Sequence, residues 1–367
     1  MNDKQIIFFM PFIGVGGVEK NLFLIANFFS KKFRNIIICT YSKKYKKKFN
    51  KKISFLTPKF NNTKNINLKF KYLLCLYALF KYIYQNKNVL VFSFQANIYC
   101  ILLCKLLKVK VISRSNSSPS GWHHNYFKKI IYKKIISYAE NVIVNSFEFK
   151  KEMEKNFDIK VNCIYNPLNN KEIIKKSKVN QKERFFSVKK KYLKILNIGR
   201  FTQQKDQITL LKAAKYLKDK ISFRLLIFGR GIEESNLKQY VKDNNLTKIV
   251  KIKNFVDNPY AIIKKTDIFI LSSKYEGLPN VLLEALTLNK FVISSNCPTG
   301  PKEILLNGKG GLFFKIGDHI DLSKKIIYYL KNKSKSKKML KISKENLNRF
   351  DYVSNLNKYY KLAKAKI

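Results

Sequence analysis

The sequence predicts an α/β protein built as two Rossmann-like domains facing a central cleft. Three observations carry this. Short apolar runs alternate with helical patterns, and each run ends at a Gly-rich or charged turn. The alternation lapses once, across a polar stretch at 171–191, and then restarts. A chain of 367 residues is too long for one ordinary core. Ligands of such sheets bind beyond the carboxyl ends of the strands, where these turns fall.

The elements follow in order. Residues 6–10 read as a buried strand, followed by the turn Gly14-Val15-Gly16-Gly17-Val18-Glu19 and a helical pattern over 21–29. A strand over 36–40 leads to a basic loop at 43–52, and 68–84 is helical by periodicity. Strands at 89–94 and 109–113 flank a helix at 98–107, and 142–145 is a further strand. Beyond the polar stretch come strands at 195–198, 224–228, 250–252, 268–271 and 291–294, separated by helices at 208–217, 233–244, 258–264 and 279–288. The domain boundary is expected at 180/181, with a second domain over 181–349. The final segment, 350–367, carries aromatic residues at helical spacing and is expected to pack back on the first domain.

With 46% hydrophobic residues the chain is globular rather than disordered. Lys and Arg number 74 against 23 Asp and Glu, a formal charge of +51. Such a balance attracts an anionic partner: a membrane surface, a nucleic acid or a phosphorylated substrate. Lys, Asn, Ile, Phe and Tyr are all abundant and Arg is scarce. That composition follows A/T-rich codons, and a nucleic-acid reader would use more Arg, so no nucleic-acid partner is expected. No C-x-x-C pair occurs among Cys39, Cys75, Cys100, Cys104, Cys163 and Cys297, which read as buried thiols of a reducing compartment. The apolar segment 6–13 is short, lacks a cleavage site and does not read as a secretory signal. The longest apolar stretches are ~10 residues, half of what a spanning helix needs, so the chain is expected to be soluble or peripheral.

The most informative segment is Tyr275-Glu276-Gly277-Leu278-Pro279-Asn280-Val281-Leu282-Leu283-Glu284-Ala285. It follows a buried strand, and Pro279 suits the first position of a helix. Glu276 then lies in the loop and Glu284 inside the helix. N–H groups around Asn280, Val281 and Leu282 would face the same space, ready for an anion. A positive helix end for a diphosphate, with carboxylates for sugar hydroxyls, outlines a nucleotide-sugar site. Gly199-Arg200-Phe201 follows the first strand of the second half, with Lys205-Asp206 just beyond. Arg200 offers a rigid fork of donors and Lys205 a point charge where a diphosphate leaves. In so basic a chain such a pair gains its weight from context. Gly229-Arg230-Gly231 allows close backbone approach or is a plain tight turn. Gly16 and Gly17 open the first helix without a full dinucleotide fingerprint.

In this order the motifs resemble the retaining glycosyltransferases of family four, of the GT-B fold: Gly16-Gly17-Val18-Glu19, Gly199-Arg200 with Lys205-Asp206, Ser272-Ser273-Lys274-Tyr275-Glu276-Gly277-Leu278-Pro279-Asn280 ending at Glu284-Ala285, then Cys297-Pro298-Thr299-Gly300-Pro301-Lys302-Glu303. The resemblance covers almost the whole chain and is strongest over 196–312. It implies that Glu276 touches the donor sugar's hydroxyls at the reacting face and Glu284 binds the ribose. It implies that Arg200 and Lys205 hold the diphosphate, with Gly16 and Gly17 beside it. Leu278, Asn280 and Val281 fall within the same donor-binding segment. Domain 1–180 would take the acceptor and 181–349 the donor. The chain contains no D-x-D, the motif with which transferases of the other common fold hold a divalent cation. No metal and no cofactor are expected beyond the donor, and the leaving phosphate would itself take the acceptor's proton.

The resemblance further implies a hexose or N-acetylhexosamine donor, UDP-linked and possibly UDP-GalNAc. The acceptor would be a lipid-linked or surface glycan, met at the inner face of the cytoplasmic membrane. A GT-B epimerase, a phosphorylase or a non-catalytic basic binder are the alternatives. His123 and His124 follow Gly121-Trp122 and could face the acceptor or form a surface pair. In 126–138, Phe127, Ile130, Ile131, Ile135 and Tyr138 fall largely on one helical side and Lys128, Lys129, Lys133 and Lys134 on the other. Such a helix either lies on anionic lipid or packs on the core with a solvated lysine face.

Overall fold

The computed structural model describes residues 4–14, 16–59, 66–116, 126–179, 183–186 and 192–367. They divide into two compact units, 1–167 with 352–367, and 168–351. The sequence pattern put the boundaries at 180/181 and 349/350. His123 and His124 lie outside the described residues.

The first unit runs β1 (Gln5–Phe9), α1 (Gly17–Phe29), β2 (Ile36–Cys39), β3 (Ser54–Leu56), α2 (Leu68–Gln85), β4 (Val89–Ser93), α3 (Asn97–Leu106), β5 (Lys110–Arg114), α4 (Tyr126–Ile136), β6 (Asn141–Val144), α5 (Phe147–Phe157) and β7 (Asn162–Cys163). Its sheet is parallel throughout, in the order β3-β2-β1-β4-β5-β6-β7. Apolar residues point to both faces of the strands, so both faces must be covered. Ile7, Phe9 and Val91 pack under α2, α3, α4 and α5 through Leu79, Cys104, Ile136 and Met153. Ile6, Phe8 and Phe92 pack on the other face against Leu22, Ile25 and Phe29 of α1.

The second unit runs α6 (Asn170–Ser177), β8 (Leu193–Ile198), α7 (Gln207–Leu217), β9 (Phe223–Gly229), α8 (Glu234–Asp243), β10 (Val250–Asn254), α9 (Tyr260–Lys264), β11 (Ile268–Leu271), α10 (Asn280–Thr287), β12 (Phe291–Ser295), α11 (Gly300–Ile304), β13 (Leu312–Phe314), α12 (His319–Lys331) and α13 (Lys333–Glu345). Its parallel sheet has the order β10-β9-β8-β11-β12-β13. In both sheets the chain winds one way from the first strand and then crosses to the other side. The strand order reverses between β1 and β4 in the first unit and between β8 and β11 in the second, and that reversal opens the crevice where ligands of this architecture bind. The last helix, α14 (Tyr352–Lys364), returns to the first unit, burying Leu356, Tyr359 and Ala363 in the core beside α1.

Three local readings differ from the sequence pattern. Part of the polar stretch 171–191 is the helix α6: the Asn169 side chain accepts the Glu172 N–H at 3.2 Å, Lys176 pairs with Glu172, and Ile173 is buried. Two turns with one apolar anchor leave too little periodicity to read. Pro279 is the residue before α10, with extended ψ, rather than its first helical position. In α4 the core takes Tyr132 and Ile136, while Phe127, Ile130 and Ile131 are exposed, so part of the apolar stripe faces solvent. No helix among the described residues is long and apolar enough to cross a membrane.

Candidate active site

The crevice of the second unit is bounded by the segment after β8 and the segment after β11, neighbours in register through Ile268 and Ile195. The first carries Gly199, Arg200 and Lys205; the second carries Glu276 and leads into α10. Hydrogen bonds join them. The Lys274 N–H donates to the Gln204 carbonyl at 2.8 Å, the Gln204 side chain donates to the Tyr275 carbonyl at 2.9 Å, and Ser272 Oγ donates to the Lys205 carbonyl at 2.8 Å. Two segments seventy residues apart in sequence are thereby held in one geometry.

Lys205 and Glu276 meet across this seam. Lys205 Nζ stands 2.5 Å from Glu276 Oε1, and Ser273 Oγ donates to the same oxygen at 2.6 Å. Glu276 is only 9% exposed, so its charge depends on these partners. Arg200 is exposed, and its guanidinium reaches Gln204 Oε1 at 3.4 Å. Its carbonyl accepts from Gln207 at 3.0 Å, which fixes the backbone and leaves the side chain at the rim.

Glu284 lies one turn inside α10 on the side of Asn280 and Val281, by the i, i+4 and i, i+3 spacing. It is 3% exposed and accepts a bond from the Tyr260 hydroxyl at 3.4 Å. Leu278 is buried beneath the turn, and Asn280 and Val281 are half-buried. The structure thus brings Arg200, Lys205, Glu276, Leu278, Asn280, Val281 and Glu284 to one end of one sheet. Gly16 and Gly17 stand at the corresponding end of the first unit. Gly16 precedes α1 with extended backbone, and Glu19 folds back to accept the Gly14 N–H at 3.3 Å.

Two supports hold these segments, of which the sequence left the first open and missed the second. Gly229 lies against the turn after β8, where a β-carbon would come 2.1 Å from the Gly199 carbonyl oxygen. Close approach is therefore the reason for this glycine. On the other side, Thr299 sits at φ +69°, ψ −139°, a region costly for a residue with a side chain. Its hydroxyl donates to the Glu276 carbonyl and, at 3.3 Å, to the Gly277 carbonyl. The Gly300 N–H donates to the Gly277 carbonyl at 2.8 Å, and a β-carbon on Gly300 would lie 1.9 Å from that oxygen. The Cys-Pro-Thr-Gly segment is thus a buttress for the Glu276 turn. Cys297 is part of it: burial, then the nearby Glu276 charge, pushes its thiol up to about 12. Among the described residues no group of three or more His, Cys, Asp or Glu stands together as metal ligands.

This architecture and site define a class. Solved GT-B glycosyltransferases superpose on the chain: the HepE protein of Anabaena, in complex with UDP and glucose, aligns with a TM-score of 0.81 at 16% identity, covering 99% of this chain and 100% of that one. Residues 179–346 match the model of the glycosyl transferases group 1 family, and the chain has the GT-B fold. An uncharacterized glycosyltransferase of Methanocaldococcus jannaschii is 32% identical over 253 residues, 64% of this chain and 62% of the relative, so the chain spans less than two thirds of that protein. A Campylobacter jejuni enzyme is 25% identical over 334 residues, 85% of this chain and 86% of its own length. It is the 4-α-N-acetylgalactosaminyltransferase acting on N-acetylgalactosamine-N,N'-diacetylbacillosaminyl-diphospho-undecaprenol.

Proposed function

We propose that this protein is a retaining, metal-independent glycosyltransferase. It moves a hexose or N-acetylhexosamine from a UDP-sugar to a lipid-linked glycan at the inner face of the cytoplasmic membrane. The observation that carries the reading is the Lys205–Glu276 pair at the strand-order reversal of the second sheet, with exposed Arg200 beside it and Glu284 one turn into α10. Cations at that point stabilise the charge that develops on a departing diphosphate. Carboxylates beside them suit the hydroxyls of a sugar and a ribose.

In the reaction, the bond between the sugar's anomeric carbon and the diphosphate oxygen breaks. The acceptor oxygen bonds to that carbon on the same face, and its proton passes to the departing phosphate. Arg200 and Lys205 balance the diphosphate charge, Glu276 orients the sugar, and Glu284 engages the ribose. The Campylobacter relative's acceptor, a diphospho-undecaprenol-linked saccharide, supports a lipid-linked acceptor. The UDP in the Anabaena complex supports a uridine donor. The test is transfer from labelled UDP-sugars onto lipid-linked oligosaccharide with and without EDTA. One sugar transferred with its anomeric configuration kept, insensitive to EDTA, is the expected result. Inversion of configuration or loss of transfer in EDTA would overturn that part of the reading.

A further inference from the structure

The helices α2, α3 and α4 lie side by side over one face of the first unit's sheet, and their outer surface is unusual in two independent ways. Among the described residues, eleven of the twenty-one exposed large apolar side chains fall in these three helices. Leu73, Tyr77, Tyr99, Leu106, Phe127 and Ile131 are more than half exposed, Leu106 reaching 75%. The same helices hold eight lysines and no Asp or Glu at all. The next helix in the layer, α5, carries Glu148, Glu152 and Glu154, so the carboxylate-free surface ends there. Helix α13 of the second unit has six lysines, yet its only exposed large apolar side chain is Ile342. Basic composition alone therefore does not produce this surface.

We infer that the outer face of α2, α3 and α4 is a docking surface for an anionic lipid bilayer. Such a bilayer supplies both things the face asks for: negative headgroups for the lysines and an apolar interior just beneath for the leucines, isoleucines and aromatic rings. Several lysines lie over exposed tyrosine rings, Lys81 at 5.1 Å from Tyr77 and Lys87 at 5.8 Å from Tyr84, while Lys105 lies 5.0 Å from half-buried Tyr138. That pairing suits the headgroup level, where a ring can enter and an ammonium reach phosphate. A second copy of this chain is the poorer occupant, since it would set eight lysines against eight, with Asp158, 2.6 Å from Lys133, as a carboxylate at the edge of the face. The inference concerns a surface of the first unit and does not rest on the sugar-transfer reading.

The test is flotation of the whole protein with phosphatidylglycerol/phosphatidylcholine vesicles and with phosphatidylcholine alone, at physiological salt. Three variants are compared: Leu106→Gln with Ile130→Gln and Ile131→Gln; Lys105→Glu with Lys134→Glu; and, on α13, Lys335→Glu with Lys338→Glu. All changed residues are exposed, and circular dichroism melts verify folding. The wild type is expected to float with the anionic vesicles only. The apolar triple and the first charge reversal are each expected to weaken binding about tenfold or more, and the α13 reversal less than about twofold. Wild type that fails to float, an apolar triple that binds as wild type does, or an α13 reversal that loses as much as the Lys105→Glu with Lys134→Glu variant would overturn the inference. So would a dimer in gel filtration that the apolar triple dissolves without change in vesicle binding, or loss of binding to an RNA probe in place of vesicles.

Discussion

Lys205 and Glu276 form a nearly buried ion pair, and removing one partner leaves the other charge stranded. Lys205→Ala is therefore expected to cost about 3 kcal/mol of stability as well as activity. Glu276→Gln is expected to lower kcat/KM ~10²–10³-fold, the scale for losing one preorganised polar contact to a transition state. The double variant Lys205→Met with Glu276→Gln separates the two effects: stability returns toward wild type in a urea titration while transfer stays lost. Thr299 invites a second comparison. Thr299→Gly relieves the positive φ and Thr299→Ala does not, so the glycine variant is expected to be more stable by about 1 kcal/mol. Both lose the hydroxyl that holds the Glu276 and Gly277 carbonyls, and both are expected to raise the donor KM, measured by steady-state kinetics. That Arg200, Lys205, Glu276 and Glu284 gather at one end of the second sheet was legible in the sequence, because their types sit in turns and a helix start after apolar strands. The parts played by Ser273 and Thr299 were not. A hydroxyl's partner depends on where the chain returns, and Thr299 returns from twenty-three residues away.

At the scale of elements, the loops that carry the charges are held by close backbone approach. Gly300 packs on the Gly277 carbonyl, and a methyl group there has to move backbone rather than a flexible side chain. Gly300→Ala is expected to destabilise by about 1–3 kcal/mol, the usual cost of overpacking, and to impair donor binding in isothermal titration with UDP. A variant that melts and binds as wild type would mean that the turn is not supported there. Most of the strands and helices were legible, since apolar runs such as Ile268–Leu271 and the pattern of α7 announce themselves, whereas helices α5, α12 and α13 were not read. Edge strands β3 and β7, of three and two residues, and the short helix α6 were not, because no period can be read over so few positions. Helix α4 was legible as a helix but not in its orientation. An apolar stripe on a sequence does not tell which part of it the sheet will cover.

Over the whole molecule, the six cysteines form no disulfide, and all but Cys163 are buried. Burial raises the thiols of Cys39, Cys75, Cys104 and Cys297, Cys75 and Cys297 to about 12 from an ordinary value near 9. For Cys104 a hydrogen bond with Cys100 is the larger cause. A thiol reagent at pH 8 is therefore expected to label Cys163 in the folded protein and all six thiols in urea, as read by intact mass. The sign for stability follows. A raised folded value favours the protonated, folded form fully below pH ~9, and that contribution is lost as pH rises toward about 12, because only the unfolded chain gives up these protons. The net charge of +51 was plain from composition, whereas its concentration with apolar side chains on α2, α3 and α4 needed the fold. The measurement that bears most directly on the central claim is transfer of label from a panel of UDP-sugars to lipid-linked oligosaccharide by the wild type and by Glu276→Gln. Transfer of one sugar by the wild type, reduced ~10²-fold or more in the variant while its fold and UDP affinity persist, is the predicted result. Equal turnover by the two proteins would contradict the assignment of the site.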